Sequence, residues 1–150
     1  LRICHVGNMR AYHLSQSGFR RVTGDHSWVW ENLVARGLMQ PERVRFHPHR
    51  RIITRAIGHK SSKPELTVIT LKAGDRVLLC SDGLWEALPN EMIAEIVGSP
   101  GSMEDLATIL VDAANASGGE DNITAVLYQH TERSKLDGGR AGRIRPALLV

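Results

Sequence analysis

Short apolar runs broken by turn residues open the chain: Arg2 to Val6, Arg10 to Leu14 and Phe19 to Val22, separated by Gly7-Asn8 and by Ser15 to Gly18. Runs of this length and spacing predict antiparallel strands in a meander. Val29, Leu33 and Val34 then recur at three to four residues, which predicts a short amphipathic helix capped by Asp25 or Ser27 and stopped near Gly37. From Met39 to Ser62 the periodicity is lost among prolines, histidines and arginines. That stretch is expected to be an irregular insertion or flap, pinned by Ile52, Ile53 and Ile57.

Regular patterning returns at Leu66 to Leu71, which alternates apolar and Thr side chains, and at the almost continuous apolar run Val77 to Cys80. With the turn Lys72 to Asp75 between them, the two read as a hairpin containing one buried strand. Pro89-Asn90 introduces a helix over about 91–97. Ser102 caps another running to about Ala116, with Leu106, Ile109, Leu110 and Ala113 on one face and Gly118-Gly119 ending it. Ile123 to Tyr128 is the last strand. Composition shifts after residue 130, so residues 1–130 form the domain portion, and 131–150 are expected to be a disordered tail or a linker.

Composition narrows the class. The chain has 150 residues, 42% hydrophobic and 23% charged, as in ordinary globular domains. No apolar run approaches the ~18 residues of a membrane span, and the start lacks the h-region of a secretory signal. The expected location is the cytoplasm, with no membrane contact in this segment. The chain starts at Leu1 inside a strand-like pattern, so the natural protein is expected to begin further upstream. Charge is confined: residues 1–130 hold 14 Lys/Arg and 14 Asp/Glu, while the tail holds five basic and two acidic residues and carries the net +3. A nucleic-acid interface would need a basic stripe with aromatics on one element, and the tail has none, so no nucleic-acid partner is expected. Cys4 and Cys80 lack any partner spacing and read as buried free thiols.

Five segments carry chemistry through their order: HVGNMRAYHL, VTGDHSWV, ITRAIG, RVLLCSDGLWEAL and GGEDNITAVL. Taken singly, Asp82-Gly83 reads as a hairpin turn and Asp121 as a turn or cap residue. In this order, spanning Val6 to Leu127, they resemble the metal-dependent serine/threonine protein phosphatases of the PP2C family, in its C-terminal portion. The resemblance implies an α+β fold, a sandwich of two antiparallel β-sheets flanked by α-helices, here incomplete at the N-terminus. It implies an enzyme that hydrolyses phosphoserine or phosphothreonine in protein substrates by a metal-bound hydroxide. Two Mg²⁺ or Mn²⁺ ions per complete site suit oxygen-only ligands and answer the charge and high barrier of a phosphate monoester. The aspartates of SDG and DN, which are metal ligands in the family, carry over to Asp82 and Asp121.

Two departures qualify the resemblance. The family's N-terminal DGxGG-type segment, whose aspartate bridges the metals, and the upstream phosphate-gripping arginine have no counterpart in the sequence. The 150-residue chain alone is therefore expected to be inactive. A GDSRAY-type segment reads GNMRAY, so Asn8 stands where a third-metal aspartate is expected. This makes Asn8 either a weak third-metal position or simply a turn residue. His49 and Arg50, within the cluster His47, His49, Arg50 and Arg51, are candidates for substrate contact or for a solvated basic loop. Arg55 is expected to pair structurally, and Trp28, Trp30 and Trp85 to pack in the core or its rim. Ser81 lacks a His in a motif that would activate it. The alternative reading is a catalytically inactive PP2C-like module that regulates a partner or binds phosphoproteins. The active reading implies phosphoprotein substrates in a kinase pathway.

Overall fold

The computed structural model describes residues 1–60, 62–132 and 147–149. Among the described residues, seven strands form two antiparallel sheets, and three α-helices cover one of them. The first sheet pairs β1 (Arg2–His5) with β4 (Glu65–Val68). The second has the order β3-β2-β5-β6-β7, built from β2 (Arg10–Ser15), β3 (Gly18–Arg21), β5 (Arg76–Cys80), β6 (Ala125–Gln129) and β7 (Ala147–Leu149).

The pairing differs from a simple meander. β2 and β3 do form a hairpin, Tyr12 opposite Arg21. β1, however, joins β4 in the other sheet, so the expected hairpin of Leu66 to Leu71 with Val77 to Cys80 does not form. The Lys72 to Asp75 turn instead carries the chain from one sheet to the other, held by Asp75 N–H donating to Lys72 O at 3.0 Å. Periodicity locates a strand but not its neighbour, and here burial chose the neighbour.

β5 explains the layering. Leu78 and Cys80 face the helices with Tyr12, Trp85, Leu106, Leu110 and Leu127, all buried. Val77, on the opposite face, packs between the sheets with Ile3, Ala11 and Ile69. Leu79, on the same face as Val77, is 38% exposed, so the continuous apolar run has one face fully buried and the other partly open. Burial pushes the Cys80 thiol up to about 12. Cys4, expected to be buried, is exposed, because β1 lies in a sheet of only two strands.

The helices are α1 (Asp82–Ala87), α2 (Asn90–Gly98) and α3 (Met103–Ala116). α1 was not legible as a helix. It begins at the Asp82-Gly83 dipeptide and is fixed by burial of Leu84 and Trp85. Ser102 caps α3 as expected, its Oγ accepting from Asp105 N–H at 3.0 Å. The buried face of α3 is Leu106, Ala107, Leu110 and Ala114, so Ile109, 47% exposed, lies off it.

Two further segments depart from the sequence reading. The expected helix after Ser27 is short and includes a π-helical turn, Trp30–Val34, where Ala35 N–H donates to Trp30 O. Its start is held by Ser27 Oγ accepting from Trp30 N–H at 3.3 Å, whereas Asp25 caps nothing. In the flap, Pro41–Phe46 form a 3₁₀ helix. Ile52, Ile53 and Ile57 do not pin it: all three are exposed, Ile57 by 92%. The flap is held instead by buried Val44, by Arg45 donating to Glu86 O at 2.7 Å, and by backbone bonds from Trp28 N–H to Ile52 O and from Thr54 N–H to His26 O.

The expectation of a disordered tail falls mostly on residues 133–146 and 150, which lie outside the described residues. Ala147–Leu149 form β7 against β6. No helix among the described residues is long and apolar enough to cross a membrane.

Candidate metal centre

The segments that carry Asp82 and Asp121 meet where β5 and β6 run side by side. Ser81 N–H donates to Thr124 O at 3.1 Å, its Oγ donates to Asn122 O at 3.0 Å, and Thr124 N–H donates back to Ser81 Oγ at 2.9 Å. Ser81 thus ties the two segments together, a structural duty. Gly83 completes the join. A Cβ at that position would stand 2.5 Å from Asn122 O and 3.3 Å from Asp121 C, so only glycine lets the first turn of α1 lie against the 121–122 peptide. The SDG and DN motifs are brought to one place by this contact.

Asp82, half-buried, accepts at Oδ2 from the Asn8 side-chain amide at 2.8 Å and at Oδ1 from Gly83 N–H at 3.2 Å. Asp121 is exposed, and its Oδ1 accepts from Asn122 N–H at 2.8 Å, which shapes the turn. Each carboxylate keeps acceptor capacity beyond these bonds, since an ionised carboxylate offers about four lone-pair sites. Oxygen-only donors of this kind suit a hard divalent cation. Among the described residues no group of three or more His, Cys, Asp or Glu is arranged to hold a metal ion. Asp82 and Asp121 are the candidate donors, with the Asn8 amide bonded to Asp82.

Asn8 is positioned from behind. The Trp85 indole donates to Asn8 O at 3.0 Å, and the Arg10 guanidinium lies over Trp85, 3.3 Å from its ring centroid. Arg10 in turn grips Asp25 in a fork, Nε to Oδ1 at 3.1 Å and Nη2 to Oδ2 at 2.8 Å, with Arg21 also bonded to Asp25 Oδ1. Asp25 is 1% exposed. Its role is to hold two buried guanidiniums, a long-range partnership that a local capping pattern does not reveal. Burial pulls Arg10 down, but the bonds and charge of Asp25 outweigh it and leave Arg10 above its ordinary value.

His26 anchors the same loop. Its Nδ1 accepts from Gly7 N–H at 3.1 Å, so in the neutral ring Nε2 carries the proton and faces Glu65 at 3.4 Å. Arg55, 3.3 Å from that Nε2, makes its ion pair with Glu31 at 3.1 Å, the structural role expected of it. Burial, reinforced by the neighbouring Arg55 and His5 and opposed by Glu65, holds His26 below the usual imidazole range.

A polar pocket of about 320 Å³ opens beside Asp121, its walls including Arg45, Arg50, Arg51, Glu86 and Glu120. Glu86 meets Arg50 at 3.2 Å and Arg51 at 3.1 Å. His49 is elsewhere, packed edge-on against Trp28 with ring centroids 5.5 Å apart and against His47 at 5.4 Å. The expected cluster is therefore split: its arginines reach the pocket at Asp121, and its histidines cover Trp28. Arg45, Glu86 and Glu120 were not identified from the sequence. Their link to the site runs through tertiary contacts alone.

The Protein phosphatase 2C family profile matches residues 2–123, and the chain belongs to that family. It is 36% identical over 139 residues to the serine/threonine phosphatase stp of Listeria welshimeri, a match covering 92% of this chain and 54% of the relative. The chain thus spans about half the length of that relative. The serine/threonine phosphatase PstP/Ppp of Mycobacterium tuberculosis superposes with a TM-score of 0.78 at 36% identity, over 87% of this chain and 55% of the other. The catalytic domain of PstP in complex with two manganese ions aligns with a TM-score of 0.71 at 33% identity, over 84% of this chain and 51% of the other.

Proposed function

We propose that the protein to which this chain belongs is a metal-dependent serine/threonine protein phosphatase, with Asp82 and Asp121 among its metal ligands. The observation that carries the reading is the close contact of Gly83 on the 121–122 peptide, which brings the SDG and DN motifs to one place. Mg²⁺ or Mn²⁺ bound there supplies positive charge for the phosphate oxygens and a more acidic water as nucleophile. Asp82 and Asp121 orient the ion, and the Asn8 amide fixes Asp82 Oδ2. Asn8 is the weak third-metal position: its oxygen is neutral, so it contributes less to a divalent ion than a carboxylate would.

Arg50 is the proposed substrate contact, supported by its place in the pocket that also contains Asp121. His49, away from that pocket, braces the flap against Trp28. The substrates are phosphoserine and phosphothreonine proteins of a kinase pathway, and the compartment is the cytoplasm. The chain by itself contributes two carboxylates and is inactive. In the complete protein, Asp82→Asn and Asp121→Asn should each abolish Mn²⁺-dependent release of phosphate from a phosphothreonine peptide. Retained turnover in either variant overturns the reading.

The second reading, an inactive module that binds phosphoproteins or regulates a partner, draws on the Asn8–Asp82 hydrogen bond, by which an amide satisfies a carboxylate oxygen that an ion would otherwise take. Complete protein that binds Mn²⁺ and phosphopeptide without turnover would favour it.

A further inference from the structure

We propose that the cleft between the β2–β3 hairpin and the Pro41-Glu42 rim is an oxyanion site, taking a phosphate or carboxylate group against Arg21. Its walls include none of Asn8, Asp82 and Asp121. Its cavity measures about 610 Å³, and Arg10, Arg20, Arg21, Phe19 and Trp30 are among its walls. It adjoins a second cavity of about 310 Å³ that shares Arg10, Pro41, Glu42, Asn90 and Glu91 with it. Together they have the size of small-ligand sites.

The charge balance of the floor points to an anion. Arg10 and Arg21 converge on one carboxylate, Asp25, whose two oxygens are already taken by the Arg10 fork. Arg21 shares Oδ1 with that fork, while its own Nε and Nη1 are buried without a hydrogen-bond partner among the described residues. Burial and the like charge of Arg10 bring Arg21 down to about 10, despite Asp25. A buried cation left short of a counter-ion costs stability, and a bound oxyanion would supply the missing charge.

The walls set the shape of the ligand. Trp30 stacks over Arg21, its ring centroid 4.0 Å from Cζ, and this packing depends on Gly24, where a Cβ would stand 2.7 Å from Trp30 Nε1. Arg20, Glu42 and Glu91 also line the cavity. A second negative charge on the ligand would face those carboxylates, so the site takes one compact oxyanion. Free phosphate and a phosphorylated or acidic side chain of a peptide share that chemistry.

The test is a titration of the 150-residue chain and its D82N/D121N double variant in EDTA, following Trp30 fluorescence with Trp30→Phe as the control. Inorganic phosphate is one arm and N-acetyl-phosphoserine amide the other, and the tighter arm identifies the source. Saturable binding is expected in both proteins, weakened about tenfold or more by Arg21→Met, the scale of losing one charge-assisted contact. Phosphate should raise the melting temperature of the wild type and not of Arg21→Met. Should Arg21→Met not fold, Arg20→Gln, at an exposed position, must weaken binding several-fold. Absence of saturation, binding unchanged in these arginine variants, or binding lost in D82N/D121N overturns the proposal. The last outcome would leave the metal centre standing.

Discussion

The Asn8 side-chain amide donates to Asp82 Oδ2 across 2.8 Å, while the backbone carbonyl of the same residue receives the indole N–H of Trp85 at 3.0 Å. One residue therefore links the buried Arg10–Asp25–Arg21 cluster to the strand end that presents the candidate metal ligand. The neutral amide stabilises an ionised Asp82 through a hydrogen bond but adds no charge for a divalent ion.

Asn8→Asp should reverse that balance. Without metal, two carboxylates at hydrogen-bond distance repel, and the variant should melt at a lower temperature than the wild type. With Mn²⁺ added, the third carboxylate should tighten binding by about tenfold or more, on the scale of an added charge in a calcium- or magnesium-type site. Calorimetric titration and melting curves with and without metal check both signs. Unchanged metal affinity contradicts the placement of Asn8.

Gly83→Ala should loosen the join between α1 and the 121–122 segment, because the contact at 2.5 Å is with backbone, which cannot rotate away. A loss of about 1–3 kcal/mol is expected from overpacking. Gly98→Ala is the control: its Cβ meets only Leu14 Cδ2 at 3.9 Å, so the melt should be unchanged or slightly improved. Denaturant midpoints of the two variants make the comparison.

Asp25→Asn should be among the most destabilising single changes, about 3–5 kcal/mol, since it strands two buried guanidiniums. A loss under about 1 kcal/mol by chemical denaturation would show that the pair is not buried as described.

Stability should fall in mild acid because of His26. Its folded value lies below the ordinary 6.5. The unfolded chain thus takes up the proton first, and the contribution present above about pH 6.5 is lost as pH drops towards the folded value. Protonation also removes the Nδ1 acceptor from Gly7 N–H. Asp75, held below 3.8 by the Lys72 backbone N–H and by His13, adds a separate loss only below that pH. Melting temperature against pH should show the upper limb in the wild type and not in His26→Asn, which retains an acceptor and cannot titrate there.

How much of this was legible in the sequence depends on whether the cause was local. Strand and helix positions such as β2, β5 and α3 follow from periodicity and from the Ser102 cap. α1 was hidden because six residues show too little of a helical period, and its Asp-Gly start has the form of a turn. The partner of β4 was hidden because pairing is a property of layers. Asp82 and Asp121 stand out only through the ordered motifs. Asp25 was misjudged because its partners, Arg10 and Arg21, meet it only after the β2–β3 hairpin closes. Arg45 and Glu86 had no local signal at all.

The face of the five-stranded sheet opposite the helices, with the β1–β4 pair, borders an apolar cavity of about 820 Å³ that includes Ile3, Ile69, Val77, Leu79 and Val126. Leu66 and Val68 of β4 are 61% and 65% exposed. The 150-residue chain should therefore bind a hydrophobic dye and self-associate, and Val68→Lys should reduce both. A monomer with a sharp cooperative melt and no dye binding would contradict this.

The most direct measurement is Mn²⁺ binding to the 150-residue chain, read from the free-ion electron paramagnetic resonance signal, for the wild type and for D82N/D121N. The wild type should bind saturably and weakly, with a dissociation constant on the order of 10⁻⁴–10⁻³ M for a site of few ligands, and the double variant should not bind. Equal behaviour of the two proteins, whether both bind or neither does, would contradict the assignment of Asp82 and Asp121 as the metal-holding pair.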